Sequence, residues 1–166
     1  MIAETGAPPE PAFAAKIATR VTLAARVAAL PQPRVFTNGV FDILHRGHVT
    51  CLDRARSLGA SLIVAVNTDE SVRRLRKGSD RPVNPLEDRL AVLAALQSVS
   101  LIVPFDEDTP LEVVLACRPD VIVKGGDYTV ETTVGAKEVI GWGGRFEAIP
   151  LLPGLSTTRV LARLRS

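Results

Sequence analysis

The stretch Thr37 to His48, T-N-G-V-F-D-I-L-H-R-G-H, decides how this chain is read. It follows a short apolar run, Arg34 to Phe36, that reads as the end of a β-strand, and leads into a helical pattern with apolar positions at Val49, Leu52, Ala55 and Leu58. Open α/β sheets place anionic ligands at such strand-to-helix turns. Backbone can approach a ligand closely at Gly39 and Gly47, and the helix that follows presents unpaired N–H groups and the positive end of its dipole. The chain has two histidines and both lie here, His45 and His48, three residues apart and so on one face of the first helical turn. The turn is a candidate phosphate site.

Working outward, strand and helix patterns alternate. Ser61 to Val66 (S-L-I-V-A-V) reads as a fully buried strand, with Asn67-Thr68-Asp69-Glu70 supplying the loop and helix start after it. Arg73 to Arg81 reads as a basic loop, and Asn84-Pro85 as the cap of a helix running to Gln97, with Glu87 and Asp88 in its first turn. Leu101 to Phe105, Val121 to Val123 and Arg145 to Ile149 read as further strands, separated by helices over Leu111 to Cys117 and Val134 to Trp142, with a last helix from Ser156 to Leu164. This order predicts an α/β fold, a Rossmann-like, doubly wound, parallel five-stranded sheet with its ligand crevice at the carboxyl ends of the strands. Polar loops fall where that geometry requires them, at Asn67 to Glu70, Lys124 to Tyr128 and Pro153 to Arg159.

Before this unit, residues 1 to 11 read as a Pro- and Ala-rich tail. From Pro11 to Leu30, Phe13, Ile17, Val21, Ala24, Val27 and Leu30 place apolar groups near one face of a single extra N-terminal helix, which Pro31 and Pro33 end. Its weakly charged polar face favours packing on its own domain or a dimer partner over a membrane surface. The expected division is 1–33 as tail and helix and 34–166 as the domain that carries the candidate phosphate site.

Composition bounds the function. The 166 residues suit about one domain, and 46% hydrophobic with 23% charged residues is ordinary for a globular protein. A net charge of +2, with one Trp, one Tyr and five Phe, gives neither the basic field nor the stacking platforms that nucleic-acid binding needs. No apolar run approaches the ~20 residues that span a bilayer, and Met1 to Pro11 lacks a basic signal-peptide region, so neither membrane nor nucleic acid is an expected partner. The two cysteines, Cys51 and Cys117, show no metal-ligand spacing, and a reducing cytoplasm is the expected location.

The H-x-G-H run of His45 to His48 resembles the signature of the nucleotidyltransferases related to the cytidylyltransferases, which join a nucleoside triphosphate to a phosphorylated small molecule and release pyrophosphate. The late loop, P-G-L-S-T-T-R, strengthens the resemblance. Ser156, Thr157 and Thr158 match position by position the Ser-Thr-Thr run that holds the triphosphate in that family, although any of these hydroxyls equally suits a helix N-cap. Lys124-Gly125-Gly126-Asp127-Tyr128 is similar to the same segment in one branch, the adenylyltransferase domains that make nucleotide-activated heptose for lipopolysaccharide. V-N-T-D-E-S-V, R-P-V-N-P-L-E-D-R and P-F-D-E-D-T-P extend the likeness from about Arg34 to Arg165. The departures are Val40, where that branch often has cysteine, and Cys51, where an aromatic is common. Bifunctional members carry a sugar-kinase domain with no counterpart in these residues, so a separate kinase is expected to supply the sugar phosphate. Family members are often dimers or larger, and a homo-oligomer is expected.

The resemblance implies AMP transfer from ATP to D-glycero-D-manno-heptose 1-phosphate, with Mg²⁺ accompanying the triphosphate. The attacking phosphate is already anionic near neutral pH, so no general base is required; the site must bring two polyanions together and stabilise charge in the transition state. His45, His48 and Lys124 are the expected catalytic contacts. Asn38, Gly39, Phe41, Gly47, Ser156, Thr157, Thr158 and Arg159 are expected around the nucleotide, and Asp42, Asn67, Asp69 and Asp127 on the substrate side. Asp42 equally suits capping or orienting its loop, Asp69 equally suits an N-cap, and Arg89 reads as an ion-pair partner for an acid on its own helix. No residue is assigned to a metal: from His45, six helical residues turn Cys51 about 120° away. Two other readings stand: a cytidylyltransferase for a polyol or amino-alcohol phosphate such as glycerol 3-phosphate, and a nucleotide-binding module without turnover.

Overall fold

Five apolar segments form the strands of one sheet: β1 (Arg34–Gly39), β2 (Ser61–Asn67), β3 (Leu101–Phe105), β4 (Val121–Gly125) and β5 (Arg145–Ile149). The computed structural model describes residues 9–75, 81–154 and 157–165. The strands lie in the order β3-β2-β1-β4-β5, every pairing parallel, so the order reverses at β1 and the neighbouring strand ends open a crevice there. This is the expected doubly wound α/β architecture.

Burial on both faces follows from alternation along the strands. Phe36, Ile63, Ala65, Val103 and Ile122 point to a core closed by α1 (Leu23–Ala28), α5 (Leu111–Cys117) and α6 (Ala136–Gly141). Val35, Leu62, Val64, Val66 and Val123 point to the other core, closed by α2 (Arg46–Arg56) and α4 (Leu86–Ala94). The short α3 (Asp69–Arg74) follows β2, and α7 (Thr157–Arg165) ends the chain's order of elements. Among the described residues no helix is long and apolar enough to cross a membrane.

Two strands run further than their apolar cores suggest. β1 continues through Thr37, Asn38 and Gly39, paired with Val64, Ala65 and Val66, and β4 continues through Lys124 and Gly125. The polar residues at these ends are thereby fixed by the ladder at the mouth of the crevice. In α2 the apolar stripe is Leu52 and Ala55, both buried, whereas Val49 faces outward at 41% exposure.

The single helix expected from Pro11 to Leu30 is absent. A 3₁₀ turn (Ala12–Lys16) gives way to extended backbone at Ile17, which bridges Ile102 in parallel, and Ala18 N–H donates to Ile102 O at 2.7 Å. Thr19 and Thr22 then exchange backbone N–H to side-chain hydroxyl bonds of 3.0 and 3.2 Å, starting α1. The cause is the open edge of β3, whose unpaired groups a β-branched segment can satisfy. The expected cap of α4 also differs: Asn84 turns its amide to the Asp42 carbonyl, and Pro85 occupies the N-cap without a side-chain bond.

Candidate active site

At the carboxyl ends of the strands lies a cavity of ≈ 450 Å³, lined by Asn38 and Gly39 from β1, Asn67 from β2, Phe105 from β3 and Lys124 from β4, among others. His45 is the N-cap of α2: the Gly47 N–H donates to its Nδ1 at 3.1 Å. That bond places the proton of the neutral ring on Nε2, leaving an N–H donor to offer an anion. The His48 ring stacks on His45, centroids 3.9 Å apart, and meets the Phe41 ring edge at 5.5 Å. Both histidines therefore sit at the positive end of the α2 dipole, which favours negative charge, while the N–H groups of Gly47, His48 and Val49 are already bonded to His45.

Burial, and secondarily the neighbouring His45, lowers the His48 pKa to about 4, and burial lowers that of His45. Both rings are neutral at pH 7 without ligand. His48 Nδ1 and Asn38 Oδ1 are buried and have no hydrogen-bond partner among the described residues. Lys124 Nζ donates to the Asn38 carbonyl at 3.1 Å and lies 5.6 Å from the Tyr128 ring centroid. The cation thus meets the end of β1 from the β4 side.

Of the residues expected from the sequence, Asn38, Gly39, Phe41, His45, Gly47, His48, Asn67, Lys124 and Thr157 line this one cavity. Thr158, Arg159 and Asp127 are exposed and are not among its lining residues; the Arg159 guanidinium donates to the Gly154 carbonyl at 2.9 Å. Ser156 lies outside the described residues. Asp42 is turned away from the cavity: its buried carboxylate accepts from Val83 N–H and Asn84 N–H, both at 2.9 Å, and pairs with Arg81 at 2.5 Å. Asp69 is not the cap of α3, a role Thr68 fills, but pairs with Arg89 at 2.6 Å. Arg89 is an ion-pair partner across elements, not within its own helix.

Sequence reasoning missed Leu75, Phe105, Asp108, Tyr128, Leu151 and Leu152 in the lining. Tyr128 was discoverable as the single tyrosine, placed beside Lys124 in K-G-G-D-Y. Leu151 packs so closely that a Cβ on Gly125 would lie 2.7 Å from its Cδ2, which explains a glycine in this strand end. Among the described residues there is no group of three or more His, Cys, Asp or Glu that could hold a metal ion.

A parallel sheet that closes a polar cleft over its switch point, with a histidine-capped helix on one side and a lysine on the other, is built to handle phosphorylated nucleotides. The chain belongs to the cytidylyltransferase-like family, whose model matches residues 36–163. It is 59% identical to a D-beta-D-heptose 1-phosphate adenylyltransferase of Bordetella bronchiseptica, over 92% of this chain and 96% of that one. It is also 59% identical to the bifunctional protein HldE of Acidiphilium cryptum over 79% of this chain, but there it spans 27% of the relative's length. The lipopolysaccharide core biosynthesis protein of Thermoplasma volcanium superposes with a TM-score of 0.59 at 28% identity, covering 72% of this chain and 95% of that one. Pantothenate synthetase of Thermus thermophilus, at 20% identity and a TM-score of 0.57, shares the fold.

Proposed function

We propose that this chain transfers AMP from ATP to heptose 1-phosphate, forming ADP-heptose and pyrophosphate. The 59% identity over nearly the full length of both chains to the Bordetella protein of that name carries the reading. The site supplies the chemistry. A phosphate oxygen of the sugar 1-phosphate attacks the α-phosphorus, the bond from that phosphorus to the bridging oxygen breaks, and pyrophosphate leaves with the electron pair. No proton need be removed from the nucleophile.

His45 offers Nε2–H to the triphosphate as a neutral donor, and His48 gains a proton as the polyanion enters, because negative charge raises the pKa that burial has lowered. Lys124 lies between the two substrates' charges, and Thr157 holds the β- and γ-phosphates from the cavity wall; Ser156, Thr158 and Arg159 are assigned to the same phosphates by the family resemblance alone. Asn67, which ends β2 in the cavity lining, is the residue proposed to meet the acceptor's hydroxyls. We propose, as the family resemblance implies, that Mg²⁺ accompanies the triphosphate as its counter-ion. The enzyme works in the cytoplasm, and it self-associates.

The test is pyrophosphate release by the purified chain with Mg²⁺, crossing ATP, GTP and CTP against heptose 1-phosphate and glycerol 3-phosphate. Release with ATP and the heptose is expected. Release with CTP and glycerol 3-phosphate would overturn the substrate, and silence with every pair would overturn turnover itself.

A further inference from the structure

The reaction as described gives no task to Arg89, the most completely enclosed cation of the described residues. Its side chain has 0% exposure. Nη1 donates to the Val40 and Asn67 carbonyls, both at 2.8 Å; Nε donates to the Asn84 carbonyl at 3.1 Å; Nη2 pairs with Asp69 at 2.6 Å. One planar group thus ties α4 to the loop after β1, the end of β2, the start of α3 and the segment before α4. Such a charge is a poor device for stability alone, since apolar replacement of buried ion pairs is often neutral or stabilising. It is a good device for fixing register, because a guanidinium holds several acceptors in set directions.

What it fixes is the turn ahead of the histidines. Val40 is pinned by Arg89, and Asp42 by Val83, Asn84 and Arg81. Between them Phe41 has φ of 50°, a left-handed conformation that a bulky residue adopts only when its surroundings impose it. The Phe41 ring covers Gly39, where a Cβ would lie 3.0 Å from Cε2, and supports His48 edge-on at 5.5 Å.

Resting on the adenylyl-transfer reading, we propose that Arg89 is a positioning residue for the reaction, bracing the strained Phe41 turn and through it the stacked His45–His48 pair. A misplaced donor pair costs transition-state stabilisation more than substrate binding.

The experiment compares Arg89→Lys with the wild-type chain, by steady-state kinetics and by NMR titration of the ring protons of the two histidines. The lysine keeps the charge opposite Asp69 but cannot serve three carbonyls. The expected result is a fall in kcat of about 10- to 100-fold, with KM for ATP and heptose 1-phosphate each within about 3-fold, and a His48 titration moved up from the wild-type value. Unchanged kcat, an effect confined to KM, or lost kcat with His48 titrating as in the wild type would each overturn the proposal. If Arg89→Lys does not fold, Arg81→Ala, at the outer end of the same brace, decides by the same two readouts: both shifted supports it, either unshifted overturns it. A wild-type chain without turnover would defeat the reaction assignment, while the NMR comparison would still test the brace.

Discussion

His48 is held in a form that its ligand must change. Its ring is pressed between His45 and Phe41, and burial depresses its pKa to about 4, so the ligand-free chain presents a neutral imidazole to a cleft meant for polyanions. An imidazole whose pKa is about 4 folded and near 6.5 unfolded binds fewer protons in the folded state between those values. Stability from this group is therefore complete above pH ~6.5 and is lost as pH falls toward 4. Urea unfolding of the ligand-free chain from pH 7 to pH 4.5 should show that decline, and His48→Ala should flatten it. The same variant should lower kcat about 10²- to 10³-fold, the usual cost of one preorganised donor, while remaining folded. A variant that kept full turnover would remove His48 from the phosphate site. At this scale the histidines were legible because both occupy one turn. The roles of Asp42 and Asp69 were not, because their partners Arg81, Val83, Asn84 and Arg89 stand far along the chain and only folding brings them together.

Elements were legible where a run of residues alone decides conformation. S-L-I-V-A-V, short, rich in β-branched residues and bounded by Gly59 and Asn67, reads as a buried strand, and β2 forms there, buried throughout. Where a partner decides, reading from sequence failed: Ile17 and Ala18 leave the helical path because the edge of β3 offers them Ile102. Backbone approach between elements was equally hidden. The Pro33 carbonyl accepts from Ala60 N–H and Ser61 N–H at 2.7 and 3.3 Å, setting the start of β2 against β1, and Gly59 lies so close that a Cβ would meet that oxygen at 2.5 Å. Neither backbone can yield without disturbing the register Arg34↔Ser61. Gly59→Ala should therefore lower the unfolding free energy by about 1–3 kcal/mol. Gly141→Ala, at the end of α6 with nothing within 4 Å, should leave it unchanged or raise it by about 0.4–1 kcal/mol. Equal effects in denaturant unfolding would show that the close contact has no energetic weight.

Across the whole molecule, alternation of strands and helices announced a parallel sheet, but the way residues ahead of β1 join it depended on packing that no local pattern encodes. Ala18, Leu23 and Val27 are buried in the same core as Phe36, Val103 and Val139, whereas Phe13 and Ile17 pack against the opposite core, so residues 12–30 wrap the edge of β3 and α1 completes one face of the sheet. That face is opposite the core under α2 and α4, where the histidine turn is anchored. Stability and chemistry should then separate. Leu23→Ala removes a side chain that is 1% exposed and should cost about 2–5 kcal/mol, read as a lower midpoint in urea at unchanged slope. Below the transition, kcat per folded molecule should match the wild type within about 2-fold, because a cavity beneath α1 leaves the strand ends and the His45–His48 stack in place. Lost turnover in molecules that remain folded would mean that the two faces of the sheet are coupled, and that the N-terminal segment helps to shape the cleft as well as to close the core.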